Sequence, residues 1–327
     1  MTERLARIAG VGAWLPDRIL TNDELSRMVD TSDSWIRERT GIRQRHIAPE
    51  GVTTADLAEQ AARRALDDAG IAPEAVDLIV VATTTPDFTF PSVGTMLQAR
   101  LGATKGAAFD VQAVCTGFVY ALSVADNMIA RGQAGTALVV GAETMSRILD
   151  WTDRSTCVLF GDGAGAMVLT ADQSSDNSDE ARTGILGTYL RSDGRFKDLL
   201  HVDGGPSSTG TVGHLRMIGN QVFRHAITNI AESMTTIADR AGVAIADIDW
   251  FVPHQANQRI LEGVAKRLSI PTEKVISTVA DHGNTSAASV PLAFDRAVQD
   301  GRIKRGDLVL MEALGGGFTW GAALARF

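Results

Sequence analysis

Three stretches of the sequence carry side chains that could act together in nucleophilic catalysis, and the first surrounds Cys115. The run DVQAVCTGFVY starts as a β-friendly segment that ends at Cys115, and a Thr-Gly pair then leads into residues with the apolar spacing of a helix. This pattern predicts a tight strand-to-helix bend, where the free N–H groups and the dipole of the helix favour a thiolate. The local pattern alone leaves a buried, inert cysteine as the alternative.

The other two stretches are VPHQAN and HGNTS, which contribute His254 and Asn284. His254 directly follows a predicted buried strand, so its ring would emerge at the end of that strand. Asn284 stands in a turn into a helix, and its amide can donate two hydrogen bonds. The alternatives are a core histidine with satisfied hydrogen bonds and an asparagine that caps its own helix. Together the three side chains could form a cysteine-dependent catalytic site.

The elements that must position these residues are predicted from apolar periodicity. Continuous apolar runs such as Val76 to Ala82 predict strands that are buried on both faces. Residues 157–160 and 166–170 predict a hairpin around the run GDGAG, which would place Cys157 inside a strand. Val275 to Val279 predicts a further strand. Helical segments alternate with these strands, which is typical of an α/β fold.

The two halves of the chain resemble each other in detail. Cys115 is followed after eleven residues by an aspartate and after seventeen by a glycine, and Asn284 is followed by the same residue types at the same spacings. The run VDLIVVA mirrors IDWFVPH, and ALVVGAE mirrors LVLMEALGGG. We therefore expect a duplicated fold of two pseudo-symmetric halves packed in layers. A polar stretch predicts a linker at residues 173–182 between halves at residues 1–172 and 183–327.

Composition excludes several classes of protein. The net charge of −8 argues against broad nucleic-acid binding. The two cysteines form no CxxC pair, so neither a disulfide framework nor a cysteine-based metal site is predicted. The first residues lack the apolar core of a signal peptide, and no apolar run approaches ~18 residues. We expect a cytoplasmic protein without membrane contact.

With these motifs in this order, the chain resembles the β-ketoacyl-acyl-carrier-protein synthase III family of the thiolase-like superfamily. The resemblance covers nearly all of the chain, from TSDSWIRERTGIRQRHIA through FGDGAGA and GNQVF to GGGFTWG. It implies that Cys115, His254 and Asn284 are the catalytic triad. Elongating relatives have a second histidine where Asn284 stands, so HGN favours an initiating synthase.

The resemblance also implies binding residues. The backbone N–H groups of Cys115 and Gly316 would form the oxyanion hole, and Phe90 and Leu314 would shape the acyl pocket, Phe90 from across a homodimer interface. Trp35 and Arg154 would sandwich the adenine of coenzyme A. The other residues implied in coenzyme A binding are Arg39, Thr40, Gly219, Asn220 and Phe223. The residues implied in docking of the carrier protein are Arg259, Arg224, Lys266 and Arg267.

The implied reaction joins a short acyl-CoA, by default acetyl-CoA, to malonyl-acyl carrier protein, and it needs no cofactor beyond the coenzyme A thioester that is its substrate. A synthase or acyltransferase of secondary metabolism, of polyketide or quinolone type and with another primer, stays open as an alternative. Thr116 and Leu314 depart from residues that are common in the family, which affects the expected pocket.

Hypotheses that assign the chain to other classes of protein fit the sequence less well. A nucleotide site at GDGAG would need a helix after the glycines. A papain-like hydrolase also uses Cys, His and Asn, but it would not need duplicated α/β halves. A non-catalytic binder of coenzyme A or of a carrier protein would not need the three catalytic side chains.

Overall fold

Two β-sheets with matching strand orders form the frame of the chain, and the computed structural model describes residues 5–171 and 183–327. The strands are β1 (Ala6–Trp14), β2 (Ile19–Thr21), β3 (Gln44–His46), β4 (Leu78–Ala82), β5 (Ala107–Val111), β6 (Thr136–Thr144), β7 (Asp162–Ala171), β8 (Gly184–Ser192), β9 (Leu200–Val202), β10 (Leu215–Met217), β11 (Trp250–Pro253), β12 (Leu308–Gly315) and β13 (Thr319–Arg326). The α-helices are α1 (Asn22–Leu25), α2 (Asp33–Thr40), α3 (Thr54–Ala69), α4 (Val93–Leu101), α5 (Gly117–Ala130), α6 (Arg154–Cys157), α7 (Gly219–Arg240), α8 (Gln258–Leu268), α9 (Val279–His282) and α10 (Ser289–Gln299).

The two large sheets repeat one topology. The first has the strand order β1-β7-β6-β4-β5, and the second has the order β8-β13-β12-β11. In both, the first pair is antiparallel, and the pairs β4–β6 and β11–β12 are parallel. Val275 forms one parallel bridge with Phe251 of β11, at the place that β5 occupies beside β4. The predicted duplication of an α/β unit is therefore confirmed.

The burial of alternate strand residues arranges the helices in layers. In β12, Val309 contributes to a core shared with α5 and α10, whereas Leu310 contributes to a core shared with α7 and α8. In β4, Val80 belongs to the first of these cores, and Val81 packs with α3 and α4. Successive side chains of a strand point to opposite faces, so each sheet lies between two layers of helices. The helices α5 and α10 form the central layer between the sheets.

The predicted hairpin around GDGAG is wrong. Cys157 ends the short helix α6, and the glycines from Gly163 onward lie inside β7, which pairs with β1 and β6 along its length. The glycines are needed because α10 packs directly against this strand. A Cβ atom on Gly165 would lie 2.8 Å from the backbone nitrogen of Leu292, which is closer than packed atoms allow.

The strand predicted at Val275 to Val279 is also wrong, apart from the single bridge at Val275. The side chain of Gln255 takes the place of a neighbouring strand here. Its Nε2 donates to the carbonyl of Ile276 at 3.1 Å, and its Oε1 accepts from the N–H groups of Thr278 at 2.7 Å and Val279 at 3.1 Å. An amide side chain satisfies these backbone groups, so no ladder is required.

The predicted linker at residues 173–182 lies outside the described residues, so the bounds of the two halves stay a prediction. Within residues 5–171 and 183–327, none of the helices combines the length and the apolar character that crossing a bilayer requires.

Candidate active site

The nucleophile candidate lies on the predicted bend between β5 and α5. Cys115 is the middle residue of a 3-10 turn, Val114–Thr116, and Val114 adopts a φ of 51°, which is strained for a β-branched residue. The hydroxyl of Thr116 donates to the carbonyl of Thr319 at 2.9 Å, and the hydroxyl of Thr319 donates to the carbonyl of Ala113 at 2.8 Å. Two side-chain hydrogen bonds to β13 therefore hold the turn in its strained form.

The thiol of Cys115 is buried, with 3% of the residue exposed. Burial raises the pKa of Cys115 to about 12, while a hydrogen bond with Ser286 and the backbone N–H of Cys115 itself lower the pKa in part. The prediction of a stabilised thiolate is therefore wrong for the resting site. Removal of the sulfur from water outweighs the favourable dipoles of the turn.

His254 follows β11 as predicted, and its surroundings fix both its orientation and its charge. Its backbone N–H donates to the carbonyl of Glu312 at 2.8 Å, and its Nδ1 lies 2.6 Å from the hydroxyl oxygen of Ser289. That oxygen accepts the N–H of Gln255 at 3.3 Å, so its own proton is free to point at Nδ1. This favours the tautomer that carries its proton on Nε2. Burial lowers the pKa of His254 to about 3, so the ring is neutral.

Asn284 is fixed by its backbone and by its side-chain oxygen. Its N–H donates to the carbonyl of Leu159 at 2.9 Å, and its carbonyl accepts from Gly161 at 3.0 Å. The Oδ1 atom accepts the N–H of Ser286 at 2.9 Å. The oxygen thus stabilises the local turn, as the capping alternative requires, and the Nδ2 group keeps its capacity to donate to another molecule.

A cavity of about 620 Å³ brings the three residues together, because Cys115, His254 and Asn284 all line it. Much of the remaining wall is apolar, which is typical of small-molecule sites. Nine further residues that the sequence predicts for binding also line the cavity: Trp35, Arg39, Thr40, Gly219, Asn220, Phe223, Arg224, Arg259 and Leu314.

Comparison with known families agrees with this geometry. A family model described as 3-oxoacyl-[acyl-carrier-protein (ACP)] synthase III matches residues 109–194, and the model of its C-terminal part matches residues 238–327. A β-ketoacyl-[acyl-carrier-protein] synthase III of Rhodospirillum centenum is 63% identical over 320 residues, which cover 98% of each chain. The chain belongs to the 3-oxoacyl-[acyl-carrier-protein] synthase III family. Its members are acyltransferases, so the predicted enzyme class is confirmed.

Solved structures of related enzymes agree with the assignment of the chain to this family. The 3-oxoacyl-[acyl-carrier-protein] synthase III from Aquifex aeolicus is 47% identical and has a TM-score of 0.92, with 98% of this chain and 100% of that chain covered. The priming β-ketosynthase of the R1128 polyketide pathway is 36% identical with a TM-score of 0.92, and 99% and 96% of the two chains are covered. The predicted thiolase-like fold is confirmed.

Several predicted residues of the synthase lie outside the cavity wall. Gly316 follows Gly315, on which a Cβ atom would lie 2.6 Å from the backbone nitrogen of Cys115, so this loop abuts the nucleophile turn. Phe90 is 84% exposed. Lys266 and Arg267 are exposed in the last turn of α8, whereas Arg259 lies in the first turn of the same helix.

The predicted adenine sandwich is closed in this structure. The guanidinium carbon of Arg154 lies 4.9 Å from the ring centre of Trp35, and that of Arg39 lies 4.8 Å from it. A base between two planar groups needs about 7 Å, which is twice an ordinary contact distance. Arg154 also donates to the carbonyl of Asp30 at 2.7 Å. A base can therefore stack between Trp35 and Arg154 after Arg154 moves outward.

Sequence reasoning missed three residues next to the triad: Ser286, Ser289 and Glu143. The two serines stand two and five residues after Asn284 in HGNTSAAS, where a signal was available. Glu143 is the one carboxylate in the apolar run ALVVGAE, and a lone charge in a buried strand is itself a signal of function.

Iodoacetamide is expected to label Cys115 before Cys157. The reagent can reach Cys115 through the cavity, whereas Cys157 is fully buried and does not line that cavity. Peptide mapping after partial labelling measures the order. Labelling of Cys157 first would contradict the assignment of Cys115 as the accessible nucleophile.

Proposed function

We propose that the protein condenses a short acyl-CoA with malonyl-acyl carrier protein, with loss of CO₂, to give 3-oxoacyl-acyl carrier protein and so to initiate fatty acid synthesis. The observation that carries this proposal is the presence of Cys115, His254 and Asn284 on one cavity. The reaction takes place in two half-reactions that use different members of the triad, in the cytoplasm and without a cofactor.

In the first half-reaction, the sulfur of Cys115 attacks the carbonyl carbon of the acyl-CoA thioester, and coenzyme A leaves. Negative charge develops on the carbonyl oxygen, and the backbone N–H groups of Cys115 and Gly316 stabilise it.

In the second half-reaction, His254 and Asn284 hold the thioester oxygen of the malonyl group. As CO₂ leaves, this oxygen becomes an enolate, and hydrogen bonds from Nε2 of His254 and Nδ2 of Asn284 stabilise it. The low pKa of His254, about 3, suits a neutral donor that does not give up its proton. The carbanion then attacks the acyl group on Cys115 and releases the product.

The positive charge around the cavity favours the binding of anionic substrates. Arg39, Arg224 and Arg259 line the cavity and are exposed, and none of them forms a salt bridge within the described part of the chain. They stand on a protein whose net charge is −8. A local positive patch on an acidic protein attracts the phosphates of coenzyme A and the acidic surface of a carrier protein. Lys266 and Arg267 extend the patch along α8.

Two further parts of the proposal concern the ligand and the partner. The adenine of coenzyme A displaces Arg154 from Trp35 and stacks between them, and Thr40, Gly219, Asn220 and Phe223 contact the rest of the nucleotide. Phe90, which is 84% exposed, enters the acyl pocket of a second copy of the chain in a homodimer, where it meets Leu314.

Acetyl-CoA is the primer that we propose. The alternative, a priming enzyme of polyketide type, is less well supported, because the identity to the R1128 enzyme is 36% whereas that to the Rhodospirillum centenum synthase III is 63%.

Separate assays of the two half-reactions test the proposal. His254→Ala and Asn284→Ala should each slow malonyl decarboxylation by ~10²–10³, the usual effect of removing one oxyanion donor. Self-acylation by acetyl-CoA should change much less, because these residues hold the malonyl oxygen. Equal losses in both half-reactions would contradict the assigned roles, and Cys115→Ser should abolish self-acylation.

Charge reversal at Arg259 tests the docking surface. Arg259→Glu should weaken the use of malonyl-acyl carrier protein more than the use of malonyl-CoA, and added salt should reduce the defect because it screens the repulsion. Lys105→Glu is the matched control, since it makes the same change in net charge at an exposed site away from the cavity. Equal defects with both malonyl donors would show that Arg259 acts in the cavity and does not dock the carrier.

A further inference from the structure

A buried carboxylate that the mechanism above does not use lies behind the nucleophile. Glu143 is completely buried near the end of β6. Its oxygens accept hydrogen bonds from the hydroxyl of Thr85 at 2.6 Å, the hydroxyl and N–H of Thr84 at 3.0 Å and 3.1 Å, the hydroxyl of Thr83 at 3.3 Å, and the hydroxyl of Ser286 at 3.0 Å. So many donors match an ionised carboxylate, which can only accept. Within residues 5–171 and 183–327, no cation pairs with it.

Ser286 connects this carboxylate to the nucleophile. The side chain of Ser286 lies close enough to Cys115 to lower the pKa of its thiol in part, and its hydroxyl donates to Oε1 of Glu143 at 3.0 Å. Ser286 has a φ of 50°, a conformation that side chains other than glycine rarely adopt, and Oδ1 of Asn284 holds its N–H at 2.9 Å. The strained turn therefore aims the hydroxyl between Cys115 and Glu143.

The first half-reaction requires an acceptor for the proton of Cys115. Burial raises the pKa of this thiol to about 12, so little thiolate forms unaided at neutral pH. The titratable groups that face Cys115 are His254 across the cavity and Glu143 behind it. The Nδ1 atom of His254 lies 2.6 Å from the hydroxyl oxygen of Ser289, and the tautomer that this contact favours has its proton on Nε2, where the malonyl step needs it. Glu143 is the remaining acceptor: burial raises its pKa, and the hydrogen bonds from Thr84, Thr85 and Ser286 oppose this by stabilising the ionised form.

We propose that Ser286 and Glu143 form a proton relay for Cys115, an inference that rests on the proposed function. Ser286 touches the reacting sulfur and is a catalytic residue, whereas Glu143 acts through Ser286 and is a positioning residue that also stores the proton. The relay serves both half-reactions, in opposite directions.

During acylation, the S–H bond of Cys115 breaks as the sulfur bonds to the thioester carbon. The thiol proton passes to the oxygen of Ser286, and Ser286 passes its own hydroxyl proton to Oε1 of Glu143. The bond from the carbonyl carbon to the sulfur of coenzyme A breaks, and coenzyme A leaves as a thiolate that takes a proton from water.

During condensation, the carbanion bonds to the acyl carbon, and the bond from that carbon to the sulfur of Cys115 breaks. The sulfur takes the hydroxyl proton of Ser286, and Ser286 takes the stored proton from Glu143. Each cycle thus begins and ends with a neutral thiol and an ionised carboxylate.

The pH profile of self-acylation, followed by intact mass in single turnovers, tests the relay. In the wild-type protein the rate should be level across the neutral range, because moving a proton between Cys115 and Glu143 changes no net charge. In Ser286→Ala and Glu143→Gln the rate should fall by ~10²–10⁴ at neutral pH, which is the usual contribution of a general base. It should then rise about tenfold per pH unit, because hydroxide must form the thiolate.

Three matched variants separate the relay from structural damage. Ser286→Gly removes the hydroxyl but suits the positive φ, so it should behave as Ser286→Ala does and carries the test if Glu143→Gln fails to fold. Asp162→Asn removes another buried carboxylate, which lies at the start of β7 and accepts hydrogen bonds from Ala48 and Ser146, and it should keep the wild-type rate and profile. Glu143→Asp keeps the carboxylate and should restore part of the rate.

Two outcomes would overturn the relay. Variants at Ser286 that keep the wild-type rate and level profile would show that the hydroxyl carries no proton. A faster reaction in Glu143→Gln would show that Glu143 acts on the thiol as a repelling charge. If no acyl-CoA acylates the wild-type protein, the proposed function fails on its own; the same pH profiles, measured with iodoacetamide at Cys115, then still decide the relay.

Discussion

The structure depends on the close contact of two turns that come from opposite halves of the chain and meet between the two sheets. One turn carries Cys115, and the other carries Asn284 and Ser286. The loop at Gly315 approaches Cys115 so closely that a Cβ atom would lie 2.6 Å from its backbone nitrogen. The hydrogen bond from Thr116 to Thr319 crosses the same junction. Because the halves are duplicated, two pseudo-equivalent helix starts face one another, and they carry different side chains, a thiol on one side and an amide on the other.

Burial at this junction determines the electrostatics of the site. It raises the pKa of Cys115 to about 12, raises that of Glu143, and lowers that of His254 to about 3. The resting site therefore holds a neutral thiol and a neutral imidazole. In the proposed reaction, charge that develops on a substrate oxygen would meet oriented N–H groups in a buried site, where hydrogen bonds to it are strong. In the proposed function, the exposed arginines at the mouth of the cavity act earlier, because they would attract an anionic substrate without entering the chemistry.

Much of the fold could be predicted from the sequence because local patterns and the duplication agree. Residues Leu78 to Ala82 form the buried strand that the apolar run from Val76 predicts, and the strand order of the second half repeats that of the first. The errors arose where tertiary contacts override local pattern. Gly163 and Gly165 lie in a central strand because a helix packs against them, and the Gln255 side chain satisfies the backbone that would otherwise form a strand after Val275.

The residue types of the candidate site could be predicted from the sequence, but the protonation state of the thiol and its link to Glu143 could not. The motifs around Cys115, His254 and Asn284 identify residues that share one cavity. The state of the thiol was not predictable, since a helix start favours a thiolate and the sequence does not show how deeply the sulfur is buried. The link from Cys115 through Ser286 to Glu143 joins residues more than a hundred positions apart, so spacing along the chain gave no sign of it.

In the proposed mechanism, Cys115 carries the acyl group between the two half-reactions. Intact mass spectrometry with peptide mapping, after incubation with a panel of short acyl-CoAs, tests it most directly. We expect that the wild-type protein gains one acyl group at Cys115, that malonyl-acyl carrier protein removes this group as 3-oxoacyl product, and that Cys115→Ser gains none. A wild-type protein that no acyl-CoA modifies, or an acyl group that maps to Cys157 and persists in Cys115→Ser, would show that Cys115 does not carry the acyl group.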